Sequence, residues 1–130
     1  MNMILVDRLC EMYEPFARLI GTRRNEFVRK VLSSEGCEYV KDYEKRGWSY
    51  HVRRCAGFVR KIKDGKKLDA ISVDNRCSDN RVLPCPVVPD GHHRLIASKI
   101  AGSKWIACEY GGRLDLLRYL QGRRKTPPVE

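Results

Sequence analysis

Apolar positions near the start of the chain recur at steps of three and four: Leu5, Leu9, Tyr13, Phe16 and Ile20. That period lines one face of an amphipathic helix. Pro15 interrupts the pattern and carries no N–H, so the segment is expected to kink or to split into two short helices. Gly21 ends it, and Thr22 is placed to cap a second helix through Leu32, with Val28 and Leu32 on one face. Residues 33–36 read as a loop and residues 37–46 as a short helix. Ser49 is a suitable N-cap for a helix over 50–63, with Val52, Ala56, Val59 and Ile62 as its buried stripe.

The pattern then changes. Residues 68–73 alternate in part and are β-branched enough for a strand, followed by a polar loop over 74–81. Residues 81–88 are extended, because Pro84, Pro86 and Pro89 forbid helix and confine the segment to edge or irregular pairing. Asp90-Gly91 makes a turn into a helix over 92–101, with Leu95, Ile96 and Ile100 inward and Gly102 behind it. A strand over 104–110 follows. Gly111-Gly112 then turns the chain into a last helix with Leu114, Leu117 and Leu120 inward and Gly122 as its stop. The order predicts a small α+β fold: a mixed sheet with helices, preceded by a helical N-terminal half. One domain is expected over 1–122, made of a helical segment over 1–57, a core over 58–112 and a closing helix over 113–122. Residues 123–130 read as a basic, flexible tail.

Composition adjusts this picture in three ways. At 130 residues and 42% apolar, the chain is sized for one folded domain. Its longest apolar run, Met3 to Val6, is far too short to cross a bilayer, and no leader pattern opens the sequence. A soluble, cytoplasmic protein without membrane contact is therefore expected. The six cysteines include no C-x-x-C pair, and Cys77, Cys85 and His92 match no standard ligand spacing. Reduced, structurally passive thiols and no metal site are the expectation.

The net charge of +10 points to polyanionic partners, a nucleotide or a nucleic acid. Arg53, Arg54, Arg60, Lys61 and Lys63 fall on the outer face of the 50–63 helix and form a candidate nucleic-acid track. Trp48 and Tyr50 beside them either stack on bases or staple the core.

The strongest chemical signal is Asp90-Gly91-His92-His93-Arg94. A strand that ends in a glycine turn and opens directly into a helix aims the first backbone N–H groups at one point. The helix dipole adds partial positive charge there, so anions are held well. Gly91 allows close approach, Arg94 can fork two donors onto a phosphate, and His92 and His93 supply further donors or a proton-transfer group.

These residues also carry a family resemblance. Leu68-Asp69-Ala70-Ile71-Ser72-Val73, then Val87 to Ala97, then Gly102 and Trp105-Ile106-Ala107, resemble the ParB/sulfiredoxin superfamily. Its pattern is an L-x-P-I-x-V strand, a V-x-D-G-H-H-R or G-x-x-R-x-x-A turn, then a helix and a strand. Gly91, Arg94 and Ala97 fit the second turn pattern, Ala70 replaces the usual proline, and the likeness spans about 58–112.

The resemblance implies that Gly91, His93 and Arg94 hold nucleotide phosphates, with His92 as a further donor at the same helix start and ATP or CTP with Mg²⁺ as cofactors. Members of the superfamily include CTP-dependent partition clamps, an ATP-using sulfinic acid reductase, free-serine kinases and proteins described as nucleases. His92 stands where the reductase has its cysteine, so reductase chemistry is not expected. Hydrolysis or phosphotransfer needs a proton acceptor; Asp69, Asp90 and His92 are the candidate catalytic residues, with Asp74 and Asp79 behind them. The alternatives are a DNA-binding protein or nuclease using the same turn, and a non-enzymatic interaction protein with a vestigial site.

Overall fold

A computed structural model describes residues 1–21, 23–34, 47–76 and 82–129. Its elements run β1 (Asn2–Leu5), α1 (Val6–Met12), α2 (Pro15–Ile20), α3 (Arg24–Ser33), α4 (Trp48–Lys63), β2 (Ile71–Arg76), β3 (Val82–Asp90), α5 (His92–Ile100), β4 (Trp105–Tyr110) and α6 (Leu114–Leu120). The class is α+β. The chain forms two compact, interleaved units: a sheet unit of residues 1–14, 69–91 and 103–130, and a helical unit of 15–68 and 92–102. The helices therefore match the N-terminal half only roughly, since the first residues join the sheet and α5 joins the helical unit.

In the sheet unit the strand order is β1-β4-β2-β3, with β4 parallel to β2 and the other two pairings antiparallel. β3 lies at one edge, as its three prolines require, and its register with β2 shifts twice along its length. β1 is a strand that the helical period of the first residues concealed. It exists because β4 offers it a partner edge, pairing Asn2 with Cys108 through Leu5 with Trp105. Ile4 is buried and Met3 half exposed, the alternation of a strand with one covered face. β2 begins at Ile71, so Asp69 and Ala70 precede it, and it continues through Asp74 to Arg76, where a loop was expected.

α6 also differs in phase from expectation. Leu116, Tyr119 and Leu120 are its buried residues, while Leu114 is 57% exposed. The Arg8 guanidinium lies 4.4 Å from the centre of the Tyr119 ring and donates to the carbonyls of Tyr119 and Arg124, each at 2.6 Å. The segment after α6, read from sequence as a flexible tail, lies on this unit: Pro128 is buried, and Arg113 donates to the Val129 carbonyl at 3.4 Å.

The helical unit packs Phe16, Phe27, Val31, Val52, Cys55, Ala56, Phe58, Val59, Ile96 and Ala97 into one core. Phe27 sits edge-on to both Phe16 and Trp48, with centroids 6.4 and 5.6 Å apart. Pro15 opens α2, a first-turn position where its missing N–H removes no helical bond. α3 buries Phe27 and Val31, and Leu32, expected inward, is 54% exposed. α4 starts at Trp48 with Gly47 as its cap, so Ser49 lies inside the first turn and caps nothing. The expected short helix over 37–46 and the Thr22 cap fall outside the described residues. No described helix is long and apolar enough to cross a membrane.

Candidate functional site

β3 ends at Asp90, and Gly91 takes φ +108°, a conformation that residues with a side chain rarely adopt. A Cβ at Gly91 would run into the side chain of Ile71. Two independent constraints thus select glycine at this turn, positive φ and close backbone approach. The next residue, His92, opens α5.

His92, His93 and Arg94 fill the first turn of α5, and all three are half-buried. Across from them stands His51, in the first turn of α4 and only 8% exposed. His51 Nδ1 lies 2.8 Å from His93 Nε2, and the ring centroids are 5.1 Å apart with the planes inclined by 28°. Tyr50 presents its ring edge-on to both, at 5.2 and 5.7 Å.

This contact brings the N-termini of α4 and α5 side by side. Neither first turn contains an acidic residue, so no carboxylate within those turns offsets the positive ends of the two helix dipoles. The histidine bond needs one ring nitrogen to donate and the other to accept, so the pair holds it only while at least one ring is neutral. Arg94 adds a permanent cation in the same helical turn as His93. Chemically, the arrangement suits an anion with several oxygens.

The structure distributes the other expected site residues as follows. On α4, Arg53, Arg60 and Lys63 are exposed, while Arg54 and Lys61 are half-buried. Arg54 occupies the turn between Tyr50 and Phe58 on one helix face, and its guanidinium lies 6.0 and 5.5 Å from their ring centres. Its Nε is buried with no hydrogen-bond partner among the described residues. Asp69 and Asp90 are exposed residues of the sheet unit, Asp90 pairing with Ser72 in the β2–β3 ladder. Asp74 accepts the Asn75 backbone N–H at 2.6 Å, and Asp79 lies outside the described residues.

Cys10, Cys55 and Cys108 are buried thiols outside any disulfide, and Cys85 is an exposed one. Burial pushes the Cys55 thiol up to about 12 and, aided by Glu109, that of Cys108 to about 11, so neither is a nucleophile near neutrality. Among the described residues, no group of three or more His, Cys, Asp or Glu is arranged to hold a metal.

His51 is the site residue that sequence reasoning did not reach. It stands 42 residues from His93, and no motif links the two. The available signal was its place on the apolar stripe of α4, one turn before Cys55, where a histidine needs a polar partner. No protein-family model, curated protein or solved structure matches this chain, and the site stands on its own geometry.

Proposed function

We propose that the first turn of α5 binds the phosphates of a nucleotide, ATP or CTP, as the ParB/sulfiredoxin resemblance implies. The observation that supports this reading is the His51–His93 bond, which sets two helix N-termini without an acidic residue in their first turns side by side next to Arg94. The donors fit a phosphate: backbone N–H groups at a helix start, imidazole N–H groups and a guanidinium fork. Mg²⁺ in nucleotide sites rides on the phosphates with only one or two protein carboxylates, so a dedicated cage is not required. A hydrolase or phosphotransferase also needs a proton acceptor, for which the carboxylates Asp69 and Asp90 are the candidates, with His92 as a donor to the phosphates.

A second reading puts a DNA phosphate on the same turn, as in a DNA-binding protein or nuclease. It is favoured by the exposed cations Arg53, Arg60 and Lys63 on α4. Calorimetric titration with the four nucleoside triphosphates, with and without Mg²⁺, tests the proposal. ATP or CTP is expected to bind the wild type and to lose at least about tenfold in affinity with Arg94→Ala, the cost of a charge-assisted contact. Binding of none of the four, or equal binding by the variant, would sink the reading.

A further inference from the structure

The net charge is divided unequally between the units. The helical unit holds 17 Lys and Arg against 6 Asp and Glu, a net +11, and the sheet unit 9 against 10, a net −1. The positive excess of the whole chain thus belongs to the helical unit. Away from the α5 turn, that unit has an open groove of about 570 Å³. Arg24 and Arg29 of α3 and Lys99 of α5 line it with three cations, and Phe16, Val28 and Ile100 line it with apolar surface.

A purely electrostatic patch would not need the apolar lining, and a purely apolar groove would not carry three cations. Phe16 is only 2% exposed and backs the Arg24 guanidinium, which lies 4.2 Å from its ring centre. Arg23, the preceding residue, lies 4.4 Å from the Trp48 ring centre. A guanidinium held over an aromatic ring is a platform on which an unpaired base can stack. Duplexes keep the faces of their bases inside, whereas single strands present bases and phosphates together.

We propose that this groove is a binding site for single-stranded nucleic acid, with phosphates on Arg24, Arg29 and Lys99 and a base against Arg24, Val28 and Ile100. The groove shares no residue with the phosphate site at the start of α5 and stands independently of it.

The test measures binding of a fluorescent oligothymidine to the full chain by anisotropy over a range of salt concentrations. The groove variant Arg24→Ala/Arg29→Ala/Lys99→Ala is compared with a charge-matched sheet-unit variant, Lys104→Ala/Arg118→Ala/Lys125→Ala. The groove variant should lose at least about tenfold in affinity, and its log–log salt slope should shrink by about 0.7 per lost contact, the single-strand value. The sheet-unit variant should change by less than about threefold. Exposed Arg29→Glu alone should weaken binding in the same direction, which covers a triple variant that folds poorly. Equal losses in both triple variants, tighter binding of a duplex of equal length, or equal competition by polyglutamate of matched charge would each overturn the proposal. Nucleoside triphosphate titration of the groove variant, expected unchanged, separates this outcome from that of the α5 site.

Discussion

His51 Nδ1 and His93 Nε2 lie 2.8 Å apart, the first on a helix that precedes the glycine turn and the second on the helix that follows it. The bond ties the first turn of α5 to that of α4. His51→Ala should remove it and leave His93 without that partner, at a cost of about 1–3 kcal/mol in stability. Urea denaturation measures this. A variant as stable as wild type would show that the bond does not brace the two helix ends.

His92 is expected to donate to the ligand rather than to transfer a proton. His92→Asn keeps a donor at the position, so phosphate affinity should stay within about threefold. Affinity and turnover measured side by side decide between the roles. Normal binding with turnover reduced by about two to four orders of magnitude would assign His92 to proton transfer instead.

Gly91→Ala should be among the costlier glycine substitutions in the chain. Positive φ alone costs about 1–2 kcal/mol, and the collision with Ile71 adds an overpacking cost of about 1–3 kcal/mol. Gly65→Ala is the control, since Gly65 has φ +77° but open space where its Cβ would go. Thermal unfolding of both should place Gly91→Ala clearly below Gly65→Ala; equal melting temperatures would remove the argument from close approach.

Alkaline pH should destabilise the fold. Burial lifts Cys55 from 9.0 to about 12, and burial with Asp115 and Asp74 lifts Tyr110 from 10.0 to about 12. The Tyr110 hydroxyl also donates to the Arg113 carbonyl at 2.6 Å, a bond lost on ionisation. Between the ordinary and the raised values the folded chain keeps protons that the unfolded chain has released. Stability is thus unaffected by these groups below about pH 9 and falls as pH rises from there toward 12. Melting temperatures from pH 8 to 11 should decline, and less so in Tyr110→Phe. A flat profile would contradict both assignments.

Thiol accessibility gives a separate check on the cysteines. Among the described cysteines, Cys85 should react first with a thiol reagent at neutral pH, and Cys55 and Cys108 only on unfolding. Rapid labelling of Cys55 in the native protein would be incompatible with its burial.

Local pattern was enough for what depends on neighbours in the chain. The Pro15 break, the extended proline segment at a sheet edge, the glycine turn at 91 and the start of α5 were legible because backbone sterics decide them within a few residues. The α+β class followed from the same succession of periods. What lay beyond the sequence depended on partners far along the chain. Residues 2–5 are a strand only because β4 presents an edge to them, and the same apolar residues read equally well as the first turn of a helix. α6 turned its buried side to Leu116 and Tyr119, since three leucines at helical spacing do not say which neighbour they meet. The His51–His93 bond, the groove formed by α3 with Lys99, and the gathering of the whole positive excess into one unit are tertiary outcomes. Periodicity reports which face of an element is apolar, whereas packing alone decides what that face is packed against.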